Sequence, residues 1–367
     1  KIHKNEKQPP GRPIISSIGS MYENTSKYVD HFLRDFVTSL PSYIKDTGDF
    51  LKQIYDVQWE QEYILGTIDV TSLYTSIEHK DGLRAVKHFL SSRPLKLWKH
   101  TEMLLNMIQE CLKNNCFLFD NTYYQQNRGT AMGTCFAPSY ANLHMGWWEE
   151  QVLRLNDEQV EWNNNIVMWS RFIDDVFLIW KGNEESAMQF LRDINQNELN
   201  LHFTGSFSKN ETNFLDLTVY INQGQLQSKI FRKATAGNMV LHASSAHPKQ
   251  LKNSIPFGEC LRMKRNCSER EGMNRALEEL QDRFKARGYS EDILAQAVEK
   301  SASKTREQLL FGTKEKKKNI QEECRLITTF SKQEGTLRKI LQKHWHIIKT
   351  NPVIGDIMPR RPGITFR

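Results

Sequence analysis

The sequence predicts an α+β fold: helices packed on an antiparallel sheet, followed by a basic, all-helical domain. Three observations carry this. Short apolar runs that read as strands alternate with amphipathic stretches through the first 235 residues. One pair of these runs flanks Asp174–Asp175, the pattern of a hairpin with two acids at its tip. From about Thr235 onward the segments become charged and helix-periodic.

The elements follow in order. Lys1 to Ile18 is a basic, Pro-containing loop that ends near Ile14–Ile15. Thr25 to Leu40 and Tyr43 to Tyr55 carry apolar residues at helical spacing. Tyr63 to Val70 reads as a buried strand, with Gly66 admitting close approach of another backbone. Leu83 to Leu90 and Glu102 to Lys113 read as helices, and Phe117 to Gln125 as a strand. Gly129 to Met145 starts as a Gly-containing turn and runs into a helix, with Pro138 marking the change. Ile166 to Trp180 is the acid-tipped hairpin, Ala187 to Gln196 a helix, and Leu201 to Phe207 and Phe214 to Ile221 strands. Met273 to Lys285 and Ile293 to Arg306 are amphipathic helices, joined by Gly288-Tyr-Ser290 with Ser290 as N-cap.

Composition bounds the function. A chain of 367 residues fits two or three domains and buries a substantial core. With 19 Gly and 11 Pro it is neither collagen-like nor of low complexity. Eight Trp, 11 Tyr and 19 Phe argue against global disorder. Apolar runs such as Val176 to Trp180 are too short to span a bilayer, so no membrane is expected as partner. Six Cys without a CxxC pair argue against a disulfide scaffold or zinc ribbon. The chain begins with Lys1, shows no signal or transit peptide, and reads as a piece of something longer.

The net charge of +7 is unevenly placed. From Ala246 to the end, 26 Lys and Arg face 15 Asp and Glu, a net of +11, which leaves −4 for the rest. Such asymmetry suggests an acidic site first and a polyanion-gripping module second; a solvated helical face is the plainer explanation.

Three aspartates are the most informative residues. Asp69 ends the apolar run Ile64-Leu-Gly-Thr-Ile-Asp-Val, and Asp174 and Asp175 sit in Arg171-Phe-Ile-Asp-Asp-Val-Phe. Carboxylates among residues that should be buried need a partner. Two Mg²⁺ ions bridged by carboxylates on adjacent strands can clamp the attacking and leaving oxygens of an in-line phosphoryl displacement. An Asp-Asp pair in a surface turn is common; the apolar flanks Phe172, Ile173 and Val176 to Ile179 are what set this one apart.

Here the sequence resembles a known family. Ile68-Asp-Val-Thr-Ser-Leu-Tyr74 looks like motif A of the reverse transcriptases. Gly129-Thr-Ala-Met-Gly-Thr-Cys-Phe-Ala-Pro-Ser-Tyr-Ala-Asn142 looks like their motif B, and Phe172-Ile-Asp-Asp175 like motif C, where Tyr is more usual first. The wording of motif B most resembles the Penelope-like retroelements. So do Lys1-Ile-His-Lys4, Gly11-Arg-Pro-Ile14, Asn213-Phe-Leu-Asp-Leu217 and Leu241-His-Ala-Ser-Ser-Ala-His-Pro248. The resemblance spans nearly the whole chain. It implies a right-hand polymerase fold: fingers over residues 1–62, palm over 63–235 and a basic helical thumb with a C-terminal extension over 236–367. It implies an RNA-directed DNA polymerase of a retrotransposon, with an RNA template, a DNA primer and dNTPs as partners. The cofactor would be two Mg²⁺, with Mn²⁺ as a substitute, and the location nuclear with the cytoplasm second. A GIY-YIG endonuclease with a Cys-rich linker often follows in such elements; neither is seen in these residues.

The resemblance also assigns roles. Asp69 and Asp174 would be the metal ligands, Asp175 the third acid, and the Val70 carbonyl an added ligand. Tyr74 would block the nucleotide 2′-OH, and Lys4 and Arg12 would hold the triphosphate. Met132 and Gly133, with Gly129 and Ala131, would form a template-facing turn that a base or sugar approaches closely. Asn142 would hydrogen-bond substrate, with a capping or core role equally open. Lys209, in a loop between two strands, would protonate the departing pyrophosphate. Asp216 reads as structural. Arg232 and Lys233 resemble a primer-gripping hairpin, and Lys249, Lys252, Arg262, Lys264 and Arg265 would lie along a duplex backbone. His242, His247, Cys260 and Cys267 lack zinc-site spacing, and Lys314 to Lys318 is either a phosphate or nuclear-import patch or a solvated loop. Two other functions remain: a nucleic-acid-binding protein descended from such an enzyme, and a metal-dependent nuclease.

Overall fold

The structure is a computed structural model that describes residues 14–92, 98–153, 161–233, 235–312, 325–331, 333–356, 358 and 363–366. The chain divides into two compact units, one up to Thr235 and one from Ala236.

The first unit opens with helices α1 (Glu23–Ser39) and α2 (Thr47–Gln53), then strand β1 (Tyr63–Val70) and the one-turn helix α3 (Leu73–Ser76). Helices α4 (His79–Ser91) and α5 (Trp98–Lys113) lead to the hairpin β2 (Cys116–Phe119) and β3 (Thr122–Gln125), and then to α6 (Ala137–Trp148). The hairpin β4 (Ile166–Phe172) and β5 (Asp175–Lys181) precedes α7 (Glu184–Ile194) and β6 (Phe203–Ser208). A meander of β7 (Glu211–Phe214), β8 (Leu217–Asn222) and β9 (Gln225–Ile230) completes the unit.

The central sheet has strand order β4-β5-β1-β6, and its three pairings are all antiparallel. Period-2 alternation gives it two unlike faces. On one, Ile64, Ile68, Val176, Leu178 and Phe203 join the main core with Val29 and Leu33 of α1, Leu104 and Ile108 of α5, and Tyr140 and Leu143 of α6. Trp148 lies against Phe203 with ring centroids 4.6 Å apart. On the other, Phe177 packs edge-on against Phe50 of α2 at 4.8 Å and near Phe214 of β7 at 5.6 Å. The same alternation puts Asp69 and Asp175 on this second face, beyond the aromatic cluster.

Three local expectations change. Gly66 faces Phe207 across the β1–β6 pair, and a Cβ there would strike that ring; the neighbour is a side chain, not a backbone. Phe117 to Gln125 is two strands, because Asp120 and Asn121 both take positive φ (46° and 56°) and make a tight two-residue turn. Phe214 to Ile221 breaks at Leu215 (φ 54°), separating β7 from β8.

The second unit holds α8 (Lys249–Asn266), α9 (Arg270–Lys285), α10 (Glu291–Ala302) and α11 (Arg306–Phe311). Strand β10 (Arg325–Thr328), helix α12 (Glu334–Lys349) and strand β11 (Gly363–Phe366) follow. The all-helical expectation is corrected here: β10 and β11 pair in parallel across the intervening helix. The α9–α10 turn closes on Gly288 (φ 78°), and Tyr289 lies edge-on to Phe284. Thr305 and Gln308 form a reciprocal capping box on α11. Among the described residues no helix is long and apolar enough to cross a membrane.

Candidate active site

The carboxylates meet because β1 lies beside β5. Asp69 is the direct cross-strand partner of Asp175. Asp174 sits with Ile173 in the two-residue turn between β4 and β5, and its carbonyl accepts the Val70 amide at 3.0 Å. Asp69 is exposed and the other two are half-buried, so the acids stand at the open end of the sheet rather than inside it, as their flanks suggested. Burial, with the charges of Asp174 and then Asp69, pushes the Asp175 carboxyl up to about 6; Lys233 opposes this. Lys233, Asp69 and Asp175 line one cleft of about 440 Å³ together with Phe214 and Phe231.

The turn is strained. Ile173 has φ 58°, a conformation β-branched residues avoid, in a turn position that normally takes Gly. Its carbonyl is held by Arg171, whose Nη1 donates to it at 3.1 Å. Arg171 is fully buried. Its Nε and Nη2 donate to the two carboxylate oxygens of Glu149 at 2.7 and 3.1 Å, and Nη1 also reaches Asn142 Oδ1 at 2.9 Å. Glu149 further accepts from Ser42 Oγ (2.6 Å) and Trp169 Nε1 (2.8 Å). It begins a five-residue π-helical stretch, Glu149–Leu153, that continues α6. Arg171 and Glu149 carry no motif signature. The signal available was an Arg among strand residues and a Glu after an otherwise apolar helix.

Tyr74 lies beside Asp174. Burial and then the Asp174 charge push its hydroxyl up to about 12. The loop from Gly129 is stitched to this turn: Thr130 N donates to Tyr74 O at 2.7 Å, Gly129 N to Ile77 O at 3.1 Å, and His79 Nε2 meets Gly129 O at 2.8 Å. Gly129 has φ 73°, and a Cβ there would collide with the Tyr74 carbonyl and Thr75 backbone. Met132 is half-buried and its carbonyl accepts the Ile15 amide at 3.1 Å. Gly133 (φ 139°) has no room for a Cβ because the Ile15 carbonyl occupies it, so its close neighbour here is this chain's own backbone.

Other expected site residues fall elsewhere. Asn142 is buried, donating to Pro138 O and accepting from Arg171; this places it in the core rather than against a nucleotide. Lys209 is corrected as well. It is exposed and follows Ser208, which pairs with Leu65, four residues back along β1 from Asp69. That is about 13 Å of strand away from the acids. Asp216 holds the β7–β8 turn, accepting from Thr47 Oγ1 at 2.5 Å and, through its carbonyl, from Phe231 N at 2.9 Å. Arg232 and Lys233 follow β9 and are exposed. Lys4, Arg12 and Lys314 to Lys318 lie outside the described residues.

In the second unit the α8 cations differ among themselves. Lys264 Nζ caps the end of α10, donating to Ser301, Ala302 and Lys304 carbonyls at 2.8 to 3.3 Å. Lys252 Nζ holds the Ala243 and Ser245 carbonyls. Arg262 pairs with Glu259, and Arg265 Nε donates to Asn266. These four are spent on local structure, which corrects the expectation of a stripe presented to a duplex; Lys249 alone of the five is left facing outward.

The hard oxygen donors and their mutual repulsion suit a divalent cation at the Asp69–Asp174–Asp175 corner. Among the described residues no group of three or more side chains converges as a ready-made metal cage. Mg²⁺ does not require one, since it keeps waters and takes substrate oxygens.

Comparison with known proteins supports the fold. The chain superposes on telomerase from Candida albicans, in complex with a fragment of telomeric RNA, with TM-score 0.52 at 10% identity, covering 77% of this chain and 48% of that one. Apo telomerase from Candida Tropicalis gives TM-score 0.48 at 11% identity, over 77% and 51% of the two chains. The BmCPV RNA-dependent RNA polymerase at its elongation state gives 0.44 at 13% identity, over 77% and 27%. The chain spans about half the length of the telomerase chains it matches. The family model of the animal helix-turn-helix domain matches residues 239–298. No curated protein matches by sequence. The likeness to the Candida albicans telomerase chain is one of fold.

Proposed function

We propose that the chain is the polymerase core of a Penelope-like reverse transcriptase, an RNA-directed DNA polymerase that extends a DNA primer on an RNA template with dNTPs. The observation that carries this reading is the side-by-side placement of Asp69 and Asp175, with Asp174 at the adjoining turn and Tyr74 next to it. Fingers, palm and thumb would correspond to residues 1–62, 63–235 and 236–367, and the protein would act in the nucleus.

Bound Mg²⁺ would supply charge neutralisation at the reacting phosphate and a more acidic primer hydroxyl. Asp69 and Asp174, with the Val70 carbonyl, are the residues to hold it. Asp175 adds a third carboxyl beside them, held above its ordinary pKa by burial first and then by the neighbouring charges of Asp174 and Asp69. Lys233 stands over the same cleft as the cation suited to a primer phosphate. The Tyr74 ring, neutral at working pH and on a backbone that the Gly129 loop holds through the Tyr74 carbonyl, is the bulk that would exclude a 2′-hydroxyl.

The test is primer extension on an RNA template with Mg²⁺, comparing dNTPs with rNTPs and a no-nucleotide lane. Wild type should lengthen the primer with dNTPs, and Asp174→Asn should abolish this while binding primer–template normally. Normal extension by Asp174→Asn sinks the assignment, and shortening of the primer without nucleotides points to a nuclease instead.

A further inference from the structure

The second unit contains a groove of about 850 Å³ that none of the motifs accounts for. Its walls follow from simple periodicities. On α8, Lys249, Asn253 and Phe257 recur every fourth residue and so share one helix face. On β11, Ile364 and Phe366 are two apart and so share one strand face. Arg338 of α12 and Lys300 in the last turn of α10 stand at the rim.

The lining has two layers of character. Phe257, Ile364 and Phe366 are half-buried and form an apolar bed. Lys249, Lys300 and Arg338 are exposed, and among the described residues none has a carboxylate or carbonyl partner. This contrasts with Lys252 and Lys264 nearby, whose ammonium groups donate to two and three backbone carbonyls. One acid, Glu334, shares the lining, leaving an excess of two positive charges.

We propose that this groove binds single-stranded nucleic acid, with phosphates on Lys249, Lys300 and Arg338 and bases on Phe257 and Phe366. A strand of phosphates at a rim of unpaired cations, with bases against aromatic faces, is the chemistry that such a lining recognises. A site of this volume holds a few nucleotides and does not admit a double helix. Charge complementarity supports a polyanion, since the groove lies in the unit that carries the chain's net positive charge. The aromatic bed favours nucleic acid over an acidic peptide, which has no ring to stack. The inference goes beyond the polymerase reading and does not depend on it, because binding at the groove requires no chemistry at the carboxylates.

The experiment uses the full chain with Asp174→Asn and measures binding of a fluorescein-labelled decauridine RNA by anisotropy over a range of KCl. Saturating unlabelled RNA–DNA duplex is present throughout. Each phosphate contact contributes about 0.7 to the salt slope for a single strand. Lys249→Glu with Arg338→Glu should therefore weaken binding at least tenfold and lower the slope by about 1.4. Both residues are exposed, so the melting temperature should not change. Phe257→Leu, which keeps bulk but loses stacking, should weaken binding several-fold without altering the slope. Three results overturn the proposal: unchanged affinity and slope in the double variant, no RNA bound while the duplex is present, or equal competition by polyglutamate. None of these bears on whether the wild-type chain extends a primer, so the two readings fail separately.

Discussion

The turn bearing Asp174 depends on a buried ion pair, and a double-mutant cycle on Arg171 and Glu149 exposes how. Removing one partner leaves the other as an uncompensated buried charge. Arg171→Met strands the Glu149 carboxylate with only Ser42 and Trp169 as donors. Glu149→Met strands a guanidinium that is 0% exposed. Each single change should cost about 3–5 kcal/mol, a large part of the ~5–15 kcal/mol that holds a typical domain together. The double change removes both charges and leaves apolar groups of similar length, so stability should return to within about 1–2 kcal/mol of wild type. Activity should not return with it. The bond from Arg171 Nη1 to the Ile173 carbonyl is lost in Arg171→Met and in the double variant alike. Without it, Ile173 at φ 58° loses the side-chain hydrogen bond that offsets a strain of about 1–3 kcal/mol, and the turn relaxes. Urea denaturation reads the stability and primer extension reads the turnover. A double variant that regains both refutes the claim that Arg171 positions the turn. A single variant as stable as wild type refutes the ion-pair argument.

Three further outcomes follow from the geometry. Gly129→Ala should reduce extension at least tenfold and relax discrimination between dNTPs and rNTPs, because a Cβ at φ 73° pushes on the Tyr74 carbonyl; nucleotide competition assays check this. His144 is fully buried, neither ring nitrogen has a partner among the described residues, and burial pushes it down to about 4, against a small opposing pull from Asp81. The unfolded chain, with an ordinary histidine near 6.5, therefore binds the proton more readily than the folded one. Stability should be full above pH 6.5 and fall by about 3 kcal/mol as the pH drops toward 4, and His144→Leu should remove that part of the loss in urea titrations at pH 7 and 4.5. Lys209→Ala should leave extension within about twofold of wild type, since about 13 Å of strand separates that turn from the acids; a tenfold loss in steady-state rate would reinstate it.

The sequence disclosed the site better than its support. Period-2 runs located β1, β4 and β5, and two of those run ends supplied the three acids, because a strand's buried face writes itself directly into hydrophobic spacing. What spacing cannot show is which strand lies next to which. Asp69 faces Asp175 only because β5 and not β4 neighbours β1. Lys209 was misplaced for the same reason: its loop lies between strands, but antiparallel pairing of β6 sends it to the wrong end. Gly133 and Asn142 sat in a convincing motif, yet their partners, Ile15 and Arg171, are 118 and 29 residues away. The α8 helix was expected around the basic residues from Lys249 to Arg265, but Pro256 within it and a face pattern with little amphipathic contrast left its ends unmarked. The β10–β11 pair was invisible because two four-residue strands carry almost no periodic signal.

The charge split can now be divided by use. Four of the cations after Ala246 hold loops and helix ends together by donating to backbone carbonyls. Lys264 does so at the end of α10, Lys252 at Ala243 and Ser245, and Lys349 at Gly355 and Met358. Arg306 donates to the Arg265 carbonyl. An ammonium capping a helix C-terminus is favourable where it stands and is not available to a ligand. Net charge therefore overstates the polyanion-binding capacity of this unit, and α8 as a whole is a poor guide to where a strand would lie. The cations that matter are those without such duties, and Lys249, Lys300 and Arg338 come from three different helices yet border one groove. Other cations of the unit, such as Arg270, Lys304, Lys339 and Lys343, are likewise without such a bond among the described residues but do not line the groove. What sets Lys249, Lys300 and Arg338 apart is the apolar bed of Phe257, Ile364 and Phe366 that they border, which a solvated face does not need.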